Sequence, residues 1–317
     1  MGKDLDVRQF PHHFLDLAYA SDSKMQRLDV FLPDRGEGPY PLVIFVHGGG
    51  WISGGRREEC ISSVFKIVSQ GYAIATVDYR LAPDWQWPAQ IYDVKAAIRY
   101  LKANNKSLNL DTNKIVLWGN SAGAHIVSTV AATAYSAKLE DLSMGNPCIP
   151  CRIDGLINWY GSVDLATLDE DASTSSGTRV TLHTTTMNST SCQLLGYVIT
   201  DHPQKATAAS ALPYIDEHFV PTLIQHGKKD RVISYLQSVK FYEALCEHYD
   251  DKKVILELFE NAEHGDPAFK TNQNINRCLD FLDSIYFAEG VRPVPRTRLP
   301  EIKLTESSTQ IHDSFES

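Results

Sequence analysis

Gly119-Asn120-Ser121-Ala122-Gly123 constrains what this chain can fold into more than any other stretch. Lys114-Ile115-Val116-Leu117-Trp118 before it reads as a buried strand, and residues 124–133 after it read as an Ala-rich helix. A serine between small residues at a sharp strand-to-helix turn forms a nucleophile elbow. The turn forces the serine backbone into a strained conformation and pushes its hydroxyl into the open. Gly119 and Gly123 then occupy places where a side chain would collide with the neighbouring strand or helix. Ser121 would sit at a helix N-terminus, where partial positive charge favours a developing anion.

A second motif points the same way. His47-Gly48-Gly49-Gly50-Trp51 follows the apolar run Pro41-Leu42-Val43-Ile44-Phe45-Val46. Consecutive glycines lose backbone entropy on folding, so they suggest a place where the backbone itself must approach something. Their N–H groups, with that of Ala122, could form an oxyanion hole. In this architecture the acid and the histidine follow the serine in chain order. Asp230 falls just beyond the strand-like Pro221-Thr222-Leu223-Ile224-Gln225-His226, and His264 lies in the loop after Val254-Ile255-Leu256-Glu257-Leu258-Phe259. Loops at the carboxyl ends of parallel strands can bring such distant residues together. His264 would take the proton of Ser121, and Asp230 would hold the imidazole tautomer.

These blocks resemble the α/β-hydrolase esterases with an HGGGW oxyanion loop, the hormone-sensitive-lipase-like group. The nearest branch holds feruloyl and acetyl-xylan esterase-like proteins and the kynurenine formamidases. The resemblance is carried by residues 47–51, 77–83, 88–97, 119–125, 226–230 and 263–265, and spans about residues 25–285. It implies an α/β-hydrolase fold: a mostly parallel sheet of about eight strands, helices on both faces and a small cap insertion. It also implies Gly49, Gly50 and Ala122 as the oxyanion donors, and hydrolysis of small or short-chain carboxylic esters through an acyl-enzyme. An arylformamidase-like amide hydrolase is the alternative within enzymes, because Gly123-Ala124-His125 resembles that group as much as the esterases. A non-catalytic small-ligand binder on the same fold is the alternative of another class. Asn120 departs from the Asp, Glu or His that relatives often carry there.

Composition narrows the partners. The 317 residues carry a formal charge of −9, unlike the clustered cations that bind nucleic acid. No run of apolar residues is long enough to span a bilayer, and the charged start lacks the apolar core of a signal peptide. The expectation is a cytoplasmic protein acting on a small-molecule ester, with a homodimer left open. No cofactor or metal is expected. Cys148 and Cys151 form a lone C-x-x-C without a second pair or suitably spaced histidines, and read as structural thiols. The sequons at Asn105 and Asn188 read as unused.

A loose arm is expected over residues 1–12, and strands over 15–20, 27–32, 42–46, 72–78 and 153–160. Helices are expected over 58–70 and 88–104, the second with Asp93 and Lys95 facing outward. Residues 1–290 read as a single α/β domain. Residues 164–212 break the rhythm and read as the cap, with a polar tip around 172–178 and a short helix near 192–196. Residues 291–317 read as a flexible tail. Trp51, Trp85, Trp159 and Tyr160 are the candidate pocket walls, with the loop 79–87 and the cap. His125 and His226 read as structural histidines, and Glu263 as a weaker candidate acid than Asp230.

Overall fold

The computed structural model describes residues 3–175, 183–249, 253–287, 292 and 294–306. The first strands are β1 (Lys3–Leu5), β2 (His12–Ala18), β3 (Arg27–Leu32), β4 (Tyr40–Val46) and β5 (Ala73–Val77). Helix α1 (Ala89–Ala103) leads to β6 (Leu110–Asn120), and α2 (Ala122–Thr133) leads to β7 (Gly155–Trp159). Then come α3 (Leu168–Ser175), α4 (Thr190–Leu195), α5 (Pro203–Ala208), β8 (Thr222–Gly227), α6 (Leu236–Cys246) and β9 (Val254–Phe259). The chain closes with α7 (Pro267–Lys270), α8 (Asn272–Tyr286) and β10 (Leu304–Glu306).

The main sheet has eight strands in the order β2-β3-β5-β4-β6-β7-β8-β9. β2, β3 and β5 pair antiparallel in turn, and from β5 to β9 every pairing is parallel. β4 lies at the centre with all its residues buried, as a strand covered on both faces must be. Its side chains alternate between two cores. Leu42, Ile44 and Val46 pack with Ile91, Val94, Ile126 and Val130 of α1 and α2. Val43 and Phe45 pack on the other face with Val64, Phe65, Ile275 and Leu279. The helix expected over 58–70 is there as a 3₁₀ segment, Glu59–Gln70, which Gly71 ends at φ 93°.

Four expectations need correction. Asp93 and Lys95 point inward. The Asp93 carboxylate accepts from the Arg80 backbone N–H and guanidinium and from Gln26. Lys95 Nζ donates to the carbonyls of Thr133 and Lys138, so it caps the end of α2. The arm is not loose: β1 pairs antiparallel with β10, and Phe10 packs against Phe31 and Phe65. Nor are residues 294–306 a free tail; residues 307–317 lie outside the described residues. Arg296 pairs with Asp280 and Asp283, Leu299 is buried, and β10 completes the small sheet. Both segments are held by pairing between opposite ends of the chain, which no local pattern announces. Finally, 172–175 belongs to α3, with Ala172 buried; the remainder of the expected polar tip, 176–178, lies outside the described residues. The short helix of the cap is α4, which stops at Gly196 with φ 79°.

Candidate active site

Ser121 stands between the last residue of β6 and the first of α2, with φ 53° and ψ −124°. Positive φ on a side chain bearing Cβ is strained, and the surroundings hold it there. Its N–H donates to the Trp159 carbonyl at 2.9 Å, and its carbonyl accepts from the His125 N–H at 3.1 Å. The glycines explain the tightness. A Cβ at Gly123 would lie 2.1 Å from the Val46 carbonyl oxygen, and one at Gly119 would lie 2.6 Å from the Gly123 backbone. The elbow is wedged against the end of β4.

That same strand end launches the glycine loop. His47 is buried, its Nδ1 donates to the Gly48 carbonyl at 2.7 Å, and its ring stacks on Tyr79 at 4.5 Å. The Tyr79 hydroxyl donates to the His47 carbonyl. Gly49 has φ 108°, and a Cβ there would meet the Ser53 carbonyl oxygen at 2.1 Å, because Ile52 and Ser53 both donate N–H groups to the Gly49 carbonyl. Asn120 ties loop and elbow together by accepting the Gly48 N–H at 3.0 Å. A neutral amide is well suited to that bond, since it receives a neutral donor without burying a charge.

Ser121, His264 and Asp230 form one hydrogen-bonded line. Ser121 Oγ lies 2.8 Å from His264 Nε2, and His264 Nδ1 lies 2.7 Å from Asp230 Oδ2. The carboxylate can only accept, so Nδ1 carries the proton and Nε2 is the acceptor facing the serine. Asp230 Oδ1 accepts the N–H groups of Val232 and Ile233, and His226 Nε2 approaches Oδ2 at 3.2 Å. Burial opposes the charge on Asp230. The hydrogen bonds from His226 and His264 outweigh it and hold the carboxyl far below the usual carboxylate range. The Tyr160 ring stands edge-on to His264 at 4.9 Å, itself on a backbone with φ 42°.

Beside Ser121 is a cavity of about 30 Å³. Gly50, Trp51, Ser121, Ala122 and Ser162 line it from the sheet side; Leu168, His183 and Thr190 close it from the 164–212 segment. Val232 and Ile233 complete the wall. Of the four candidate wall aromatics, Trp51 lines this cavity and Tyr160 reaches His264. Trp85 is on the surface under the Arg80 guanidinium, and Trp159 is a core residue bonded to Gln225 and packed on Trp118. Gly50 and Ala122 line the cavity, and the Gly49 carbonyl before them is taken up by the Ile52 and Ser53 N–H groups. Ala122, as first residue of α2, has an N–H with no intrahelical acceptor.

The other histidines and the second acid are placed elsewhere. His125 lies under the elbow, between Trp51 Nε1 and the Ala209 carbonyl. His226 braces the acid loop through Ser238 and Ile233. Glu263 is turned outward toward Arg231. The sequence reading missed His183. Its Nε2 donates to the Val232 carbonyl, and its carbonyl accepts from Ser189 and Ser191, knotting the 164–212 segment to the loop that carries Asp230. No spacing signal could have found it, because Val232, the partner of its ring, lies far along the sequence. Among the described residues no cluster of His, Cys, Asp or Glu is arranged to hold a metal ion, and no helix is long and apolar enough to cross a membrane.

Comparison with known proteins adds ancestry to this geometry. The chain is 32% identical over 249 residues to the esterase LipC of Mycobacterium tuberculosis (strain ATCC 25618 / H37Rv), covering 77% of this chain and 58% of that protein. It is 27% identical over 284 residues to the esterase LipQ of the same strain, covering 88% of this chain and 64% of that protein. The chain therefore spans only part of the length of these relatives. Among solved structures, a truncated form of a carbohydrate esterase from gut microbiota superposes with a TM-score of 0.73 at 25% identity, covering 87% of this chain and 96% of that one. A bifunctional GH43-CE protein of Bacteroides eggerthii superposes with a TM-score of 0.72 at 27% identity, covering 86% of this chain and 38% of that one. The fold is the α/β-hydrolase fold. The family model of BD-FAE matches residues 28–245, and the chain belongs to that family.

Proposed function

We propose that this chain is a serine hydrolase of short-chain carboxylic esters, with Ser121 as nucleophile, His264 as general base and acid, and Asp230 as its orienting carboxylate. The unbroken Ser121–His264–Asp230 line at 2.8 and 2.7 Å carries the reading. That two relatives are named esterases supports it. Ser121 Oγ attacks the ester carbonyl carbon as its proton passes to His264 Nε2. The N–H groups of Gly49, Gly50 and Ala122 stabilise the oxyanion. The tetrahedral adduct collapses, and His264 returns the proton to the departing alcohol. Water then repeats the sequence on the acyl-enzyme, releasing the acid and restoring the serine.

Residues 164–212 act as the cap in this reading, because Leu168, His183 and Thr190 close the cavity. Its volume of about 30 Å³ favours the smallest acyl groups. Turnover of p-nitrophenyl esters should fall as the acyl chain lengthens, with acetyl to hexanoyl ahead of palmitoyl, which a chain-length series measures. The decisive experiment is a fluorophosphonate probe: it should label Ser121 alone, with stoichiometric loss of p-nitrophenyl acetate hydrolysis. Labelling of another serine, or full labelling with activity retained, refutes the assignment.

A further inference from the structure

Ser162 lies just beyond the end of β7, fully buried, and lines the cavity beside Ser121. Its hydroxyl has no hydrogen-bond partner among the described residues. A buried hydroxyl left without a partner costs roughly 1–3 kcal/mol, so a site that holds one empty is poised to gain by filling it. Its neighbours in the wall do not need it. His183 is bonded to the Val232 carbonyl, and Trp51 Nε1 to His125. Apart from Ser121 and Thr190, whose hydroxyl is not both fully buried and unpartnered as that of Ser162 is, the remaining wall side chains Ala122, Leu168, Val232 and Ile233 are apolar.

The geometry also says which half of an ester faces Ser162. The leaving alcohol must take its proton from His264, so it departs on the His264 side of Ser121. Among the described residues His264 does not line the cavity, while Ser121 and the oxyanion-side residues Gly50 and Ala122 do. The cavity therefore takes the acyl group. At about 30 Å³ it has room for about two waters. That is a carbonyl substituent of about two heavy atoms.

The geometry points to Ser162 as a specificity-determining residue that hydrogen-bonds a hydroxyl on a very short acyl chain. The favoured substrate class is esters of 2-hydroxy acids of glycolyl size. This rests on the proposed esterase reading and deepens it. A propionyl group fills the same space but leaves Ser162 unpaired. A site built to bond a hydroxyl discriminates against the analogue without one far more strongly than an apolar pocket discriminates by size.

The test compares glycolyl and propionyl esters of one alcohol. The ratio of kcat/KM between them is divided by the ratio for hydroxide-catalysed hydrolysis of the same esters, which removes their intrinsic reactivity. The wild-type chain should favour glycolyl by at least about tenfold after that correction. Ser162→Ala should lower the corrected ratio by a similar factor, and Ser162→Cys should fall between. A corrected wild-type ratio near one overturns the proposal without any variant having to fold. So does an equal loss on both esters in Ser162→Ala, the result expected if the hydroxyl held only a water or supported the fold. Turnover without preference sinks this inference alone. No turnover of either ester, with Ser121 unreactive to fluorophosphonate, sinks the esterase reading as well.

Discussion

At the residue scale the proposed mechanism depends on a short line of hydrogen bonds, and each member should be separately indispensable. Ser121→Ala, His264→Ala and Asp230→Asn should each lower kcat by about 10⁴-fold or more, and a double variant should be little worse than a single one. Steady-state kinetics with active-site titration checks this. Glu263→Gln should leave kcat within about twofold, because its carboxylate faces Arg231. His125 supplies a second prediction. Burial lowers its pKa from the ordinary 6.5 to about 4, against the opposing bond to the Ala209 carbonyl. The folded chain thus binds that proton less readily than the unfolded chain. The stability linked to neutral His125 is fully present above about pH 6.5 and is lost as pH falls toward about 4, by up to about 3 kcal/mol. Urea midpoints measured across that window should fall more steeply for wild type than for His125→Asn. Equal slopes would show that His125 is not the group that titrates.

Residues legible in the sequence were those whose chemistry needs a local pattern. Ser121 sits in an elbow with fixed neighbours, and Asp230 and His264 each follow an apolar strand. Ser162 and His183 have no such frame. They line the cavity because the ends of β7 and the 164–212 segment meet in space. Asn120 looked like a departure from a pattern, yet it serves a bond that only the fold reveals, to the Gly48 N–H.

At the element scale, the elbow works because β6 and α2 run so close to β4. Gly123→Ala would drive a methyl group to 2.1 Å from the Val46 carbonyl oxygen, and neither partner is a side chain that can swing away. It should therefore destabilise the fold by several kcal/mol, typically on the order of 3 or more, or prevent accumulation of soluble protein. Thermal denaturation measures it; a variant with a wild-type Tm would mean that the elbow has more slack than its contacts suggest. Strand and helix positions were readable because apolar periods repeat along them. Which way a polar residue faces was not. Asp93 and Lys95 occupy a helix whose opposite side is also covered, so both are buried and satisfied by Arg80, Gln26 and the end of α2. A buried lysine bonded to two carbonyls is compatible with the physics, but the helical period of its neighbours carries no trace of those partners.

At the scale of the whole molecule the two ends of the described chain hold one another. Ending the chain at Phe287 would remove β10, the Arg296 ion pairs and the burial of Leu299, which by itself contributes about 2 kcal/mol. The shortened protein should unfold at lower urea while keeping kcat within about twofold, since none of these groups lines the site. A large loss of kcat with unchanged stability would place the segment in the chemistry instead.

The clasp between β1 and β10 has a further meaning during synthesis. Lys3 pairs with Glu306, so β1 has its contacts with Arg57 and Glu58 long before its ladder partner is made. At roughly 5–20 residues per second, translation takes on the order of 15–60 seconds to supply it. The helices and parallel strands between them can pack as they emerge, and Phe10 can settle on Phe31 and Phe65, but Leu299 joins that cluster only once residues 294–306 are made. A nascent chain stalled short of residue 294 would leave the part of that cluster that Leu299 covers open to chaperones, and emergence of residues 294–306 would close it.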